Sequence, residues 1–273
     1  MSAMELVLVR HAESIWNAED RWQGQTDVPL SAKGREEATR VGERLRDAGF
    51  DAIVCSDLSR ARETAEAIVA ARAKNEALTT HRGLREMDLG AWCGLPHAEV
   101  LTRFPDELRA LQTGEDLAIG GHGESLSRFE DRVHVALGEV LADHASATRI
   151  LVVTHGGCIR SVLMRLLGLR GRKRPLEGAG NTSITTLRVE GGAIRALRSY
   201  NDARHLRSTR AHDGDTNSAH DAEHTSIVGP SARTRIHALL ELTSDAGLAE
   251  LDDTHTSVVN ERAKRLVRYG LTG

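Results

Sequence analysis

The chain has 273 residues, 40% of them hydrophobic, and a formal charge of −3 from 36 basic and 39 acidic side chains. That is enough to bury the core of one α/β domain with an appendage, or of two small domains. The interspersed charge offers no basic face for nucleic acid and no acidic tail. Three widely spaced cysteines, Cys55, Cys93 and Cys158, form no CxxC pair, which argues against a disulfide framework or a zinc cage and for a reducing, cytoplasmic setting. The N-terminal MSAMELVLVR lacks a basic leader with a long apolar run. No stretch approaches the ~20 apolar residues of a membrane span, so an unexported protein with no membrane partner is expected.

In chain order, residues 5–9, 51–55 and 149–154 (ELVLV, DAIVC, RILVVT) are short, nearly unbroken apolar runs, which is how strands covered on both faces read. Between them lie helical patterns. Ser31 can cap a helix with Ala38, Val41, Leu45 and Ala48 inward and Gly49 at its end, and Asp57 can cap a second with Ala61, Ala65, Ile68 and Val69 inward. Residues 124–144 carry Leu126, Phe129, Val133, Leu137, Val140 and His144 at helical spacing. Residues 183–200 read as two strands joined by a glycine turn, an antiparallel edge pair. The expected fold is a three-layer α/β/α sandwich with a mainly parallel sheet, occupying residues 1–206. A polar stretch, 207–230, reads as a linker. Helical patterning returns in a C-terminal extension, 231–273.

Ligands of open α/β sheets bind beyond the carboxyl ends of the strands. The first strand delivers Arg10 and His11, the second leads through Ser56 and Asp57 to Arg60, and the third delivers His155 ahead of Gly156 and Gly157. Two guanidinium forks around one group suit a phosphate dianion. A helix opening at the glycines adds backbone N–H groups and a positive dipole end. Histidine can be a neutral nucleophile near pH 7, so one of the pair could accept the phosphoryl group.

These segments, RHAESIWN, WQGQTDVPLSAKGREEA, CSDLSRARETA, LREMDLGAWCG, GHGESL, VVTHGG and NTSITTL, occur in an order that resembles the histidine phosphatase, or phosphoglycerate mutase-like, superfamily over residues 4–206. The resemblance implies that His11 is phosphorylated, that Arg10, Arg60 and His155 bind the phosphoryl oxygens with Asn17 and Gly156 contributing, and that Glu86 is the proton donor. Glu86 suits that role chemically, since the departing alkoxide of a phosphate ester needs a proton. Ala12 replaces the glycine of the usual RHG and serves unless φ must be positive. Cys93 stands where a glutamate is frequent, which bears on the substrate rather than the chemistry.

The resemblance further implies a phosphomonoesterase acting on a small phosphorylated metabolite without metal or other cofactor, since arginines neutralise the charge. The short segment from Cys93 to Gly123 resembles the compact phosphatases rather than the mutases, whose insertion there is long. Phosphoglycerate mutase-type transfer is the alternative, as is a phosphate-dependent binding or regulatory protein that uses the extension. Segment 254–269 could pack on its own domain, form a homodimer, or dock elsewhere. His205, His212, His220 and His224 alternate with acidic residues at spacings that fit no compact metal shell, and read as part of a solvated linker.

Overall fold

Apolar residues on both sides of each central run require both sheet faces to be covered, and the computed structural model has that arrangement. It describes residues 3–72, 77–169 and 178–207; the linker and helical extension expected beyond them lie outside the described residues. Strands β1 (Met4–Arg10), β2 (Ala52–Cys55), β3 (Leu78–Thr80), β4 (Arg149–Thr154), β5 (Ile184–Glu190) and β6 (Ala193–Asp202) form a six-stranded sheet in the order β3-β2-β4-β1-β5-β6. β1, β2, β3 and β4 pair in parallel, and β5 and β6 add the antiparallel edge. The expected three-layer α/β fold is present. Among the described strands β3 alone, too short to carry a pattern, escaped the sequence reading.

The helices are α1 (Ile15–Ala18), α2 (Ala32–Leu45), α3 (Ser59–Ala70), α4 (His97–Arg103), α5 (Pro105–Thr113), α6 (Leu126–Asp143) and α7 (Gly156–Leu166). Strand alternation divides the core between two sheet faces. Leu6, Leu8, Ile150 and Val152 face Phe129 and Val133 of α6 and Ile159 and Leu163 of α7. Val7, Val9, Leu151 and Val153 face Val41 of α2 and Ala61 and Ile68 of α3. Each such buried aliphatic side chain contributes about 1.5–3 kcal/mol. Among the described residues no helix is long and apolar enough to cross a membrane.

Two helix ends differ from expectation. Ser31 caps α2 through the Gly34 N–H, but the helix stops at Leu45, short of Gly49. There i→i+3 bonds from Arg46 to Glu43 and Ala48 to Leu45 tighten the last turn. Asp57 does not cap α3: its two oxygens accept from Arg85 at 2.8 and 2.7 Å. Asp27, from the loop between α1 and α2, accepts the Ser59 N–H and hydroxyl instead. His205 also leaves the linker group, because it lies in the turn Arg204–Leu206 with its Nε2 3.0 Å from the Thr182 hydroxyl.

Candidate active site

Parallel register brings the polar strand ends level. Arg10 pairs with Thr154 and Cys55 with Val153, so the next residues, His11, His155 and Ser56, emerge side by side from β1, β4 and β2. The His11 N–H donates to the Thr154 carbonyl and the Ser56 N–H to the Val153 carbonyl, which carries the pairing one residue past the strands. Buried strands thereby fix the position of reactive side chains.

His11 and His155 meet edge to face, ring centroids 5.1 Å apart. His11 Nδ1 lies 2.7 Å from the Ala12 carbonyl, an acceptor only, so Nδ1 carries the proton and Nε2 keeps a lone pair. The Ser56 hydroxyl accepts the Leu58 N–H and lies 2.9 Å from His155 Nε2. Among the described residues Nε2 is the one acceptor within reach of the Ser56 hydroxyl proton, and Ser56 donating to it assigns the ring proton to Nδ1. That Nδ1 is buried and has no partner. Burial, followed by the charges of Arg60 and Arg10, pushes His11 well below its ordinary range; burial, followed chiefly by Arg60, does the same to His155. Both rings are neutral at pH 7.

The arginines are anchored by their outer nitrogens. Arg60 donates to the Thr26 and Gly24 carbonyls and Arg10 to the Ala179 carbonyl. The Nε of each is buried without a partner. Burial pulls Arg60 down to about 10, still charged at neutral pH. Asn17 Oδ1 accepts the Ser14 N–H, so its amide NH₂ is the group left for a ligand.

Glu86 lies where the α7 N-terminus approaches these groups. Its Oε1 accepts the Met87 N–H and its Oε2 the Gly157 N–H, at 2.9 and 3.0 Å. A Cβ on Gly157 would fall 2.1 Å from Oε1, whereas one on Gly156 would make ordinary contact with Arg10. The two glycines therefore differ: Gly156 backs the arginine, and Gly157 lets the carboxylate reach the helix end. The structure brings together all the predicted site residues. Ala12 is fully buried and its φ is not positive, so the methyl fits. Cys93 lies half-buried, and burial raises its thiol. Trp22 and Trp92 pack against each other at 5.6 Å in the main core.

Several polar residues at the site carried no readable signal. Gln23 is buried, with Oε1 2.6 Å from the Ser14 hydroxyl that donates to it. Asn181 donates to the His11 carbonyl at 2.9 Å, and Thr64 accepts the Ala12 N–H at 3.0 Å. Only their placement in motif segments could have found them. No cluster of His, Cys, Asp or Glu suited to a metal ion occurs among the described residues.

Buried, unpartnered donors thus surround an imidazole whose Nε2 keeps its lone pair, an arrangement suited to an anion. Comparisons with known proteins show the family. Residues 6–203 match the sequence profile of the histidine phosphatase superfamily, branch 1. Phosphoglycerate mutase-like protein 4 of Arabidopsis thaliana is 41% identical over 207 residues, 75% of this chain and 88% of the relative. A mycobacterial glucosyl-3-phosphoglycerate phosphatase, solved with VO3, superposes with a TM-score of 0.64 at 32% identity, over 72% of this chain and 98% of that one. A structure described as that of a putative α-ribazole-5′-P phosphatase of Escherichia coli superposes with a TM-score of 0.66 at 26% identity, over 74% of this chain and 97% of that one. The chain belongs to the histidine phosphatase superfamily.

Proposed function

We propose that the protein is a phosphomonoesterase that hydrolyses a small phosphorylated metabolite through a phosphohistidine on His11. The observation that carries this reading is the donor set of Arg10 Nε, Arg60 Nε and His155 Nδ1, all buried and unpartnered, around an imidazole whose proton is held at Nδ1 by the Ala12 carbonyl. Leaving such donors unsatisfied is costly, and an oxyanion with several lone pairs satisfies them together.

In the first step His11 Nε2 attacks phosphorus, the P–O bond to the substrate breaks, and the departing alkoxide takes a proton from Glu86. In the second, Glu86 as carboxylate takes a proton from water, the hydroxide attacks phosphorus, and the P–N bond breaks to return neutral His11. The arginines, His155 and the Asn17 amide hold the transferred oxygens and neutralise their charge, so no step requires a metal. Two structural neighbours named as phosphatases support hydrolysis, as does the short segment after Cys93, which forms α4, α5 and the 3₁₀ turn Ile119–Gly121. The relative named as mutase-like at 41% identity favours a second reading, phosphoryl transfer between positions of one substrate.

A panel of phosphate esters assayed in excess EDTA tests the proposal. His11→Ala is expected to abolish turnover. Glu86→Gln is expected to slow alkyl phosphates by ~10²- to 10⁴-fold and an activated aryl phosphate much less. Wild-type turnover by His11→Ala would refute the nucleophile, and equal losses on both ester types would refute the acid. Added 2,3-bisphosphoglycerate that converts release of phosphate into isomerisation would favour the mutase reading.

A further inference from the structure

The GHGESL segment carries a glutamate, Glu124, that the proposed chemistry does not use. Its carboxylate meets Arg132 of α6 in a two-pronged pair, Nε to Oε1 and Nη2 to Oε2, both 2.7 Å. The remaining N–H groups of Arg132 go to the loop that bears the proposed acid. Nη1 donates to the Gly83 and Arg85 carbonyls at 2.9 and 3.0 Å, and Nη2 to the Glu86 carbonyl at 3.0 Å. A guanidinium has five N–H donors in a rigid fork, and here every one is spent.

Glu124 grips the other side of the same loop. Its Oε2 accepts the Asp88 N–H and its own N–H donates to the Asp88 carbonyl, both at 2.9 Å. The backbone from Gly83 to Asp88 is thus held before, at and after Glu86 by one ion pair. Arg132 itself is fixed by α6 and by Phe129, whose ring its guanidinium covers at 5.3 Å. Both members of the pair are mostly buried, with side-chain exposures of 24% and 17%. Burial alone would raise the Glu124 carboxyl; the Arg132 fork and the Asp88 N–H reverse this and hold it below the ordinary carboxylate range. The pair is therefore ionised at neutral pH.

We infer that Arg132, paired with Glu124, is a positioning residue that sets the placement of Glu86 against the leaving group. The inference rests on the assignment of Glu86 as proton donor. Lysine has three donors on one flexible atom and cannot make these five bonds, so Arg132→Lys keeps the charge and loses the clamp. A misplacement of about 1 Å in a catalytic group costs ~10²-fold.

A double-mutant cycle on the full chain tests it, using an alkyl phosphate, an activated aryl phosphate and vanadate as a probe of the anion pocket. Arg132→Lys is expected to slow the alkyl ester ~10- to 100-fold, to slow the aryl ester far less, and to leave vanadate affinity near that of the parent. In the Glu86→Gln background the same change is expected to cost less than about twofold, because the group it positions is gone. Glu124→Gln, which keeps the side-chain shape, is expected to follow the same pattern and substitutes for Arg132→Lys if that variant fails to fold. Equal losses with and without Glu86, equal losses on both esters, or no loss would overturn the inference. If Glu86→Gln shows no leaving-group dependence, the acid assignment falls and the inference with it; an additive cycle beside a leaving-group-dependent Glu86→Gln removes the inference alone.

Discussion

At the scale of single residues, protonation states are set by what each atom can bond. A carbonyl beside His11 Nδ1 and a hydroxyl beside His155 Nε2 fix two tautomers, leaving one free lone pair and one free donor at the pocket. The neutrality of both rings has a thermodynamic consequence. Burial holds both well below the 6.5 at which they titrate when exposed. Below that pH the unfolded chain binds more protons than the folded one, so stability falls as pH falls; the contribution is complete above about 6.5. The melting temperature of the ligand-free protein is therefore expected to drop from about pH 7.5 to about pH 5.5, and His155→Asn to reduce the drop. A flat profile in differential scanning fluorimetry would contradict the buried neutral rings. Arg10, His11, Arg60 and His155 were legible because each directly follows a strand or opens a helix. Gln23, Thr64 and Arg132 were not, since their partners lie many residues away and no local pattern announces such a pair.

At the scale of elements, five of the six strands are legible in the sequence and the loops are not. Runs such as LVLV and ILVV, short and rich in β-branched residues, read as strands buried on both faces, and the alternation that sends Leu6 to one layer and Val7 to the other follows from the pleat. The Asp57 cap failed because a carboxylate near a helix start can satisfy an arginine as readily as a backbone N–H, and Arg85 arrives from a separate loop. The crossing of the loop after Glu86 with the GHGESL segment was equally hidden. Gly120 has φ +58°, and a Cβ there would fall 2.3 Å from the Ala91 nitrogen and 2.4 Å from the Leu89 carbonyl oxygen. Gly120→Ala is expected to destabilise the fold by about 1–3 kcal/mol, read as a lower denaturation midpoint. An unchanged midpoint would mean that the two backbones are not in contact.

At the scale of the whole molecule, the proposed site draws, among the described residues, on positions between Arg10 and Asn181, from both halves of the matched region. The two phosphatase structures are covered over 98% and 97% of their lengths by about three quarters of this chain. A chain ending at Arg207 is therefore expected to retain the turnover of the full protein on an aryl phosphate. A loss of more than ~10-fold, with the truncated chain folded by circular dichroism, would place a functional role in the extension. The central claim is the covalent intermediate. Rapid acid quench of the protein mixed with a ³²P-labelled phosphomonoester, followed by isolation of the chain, measures it directly. Label that survives alkali, is released by acid, maps to the peptide containing His11 and is absent from His11→Asn is the predicted result. Label on another residue, or turnover at full rate with no label at any quench time, would contradict it.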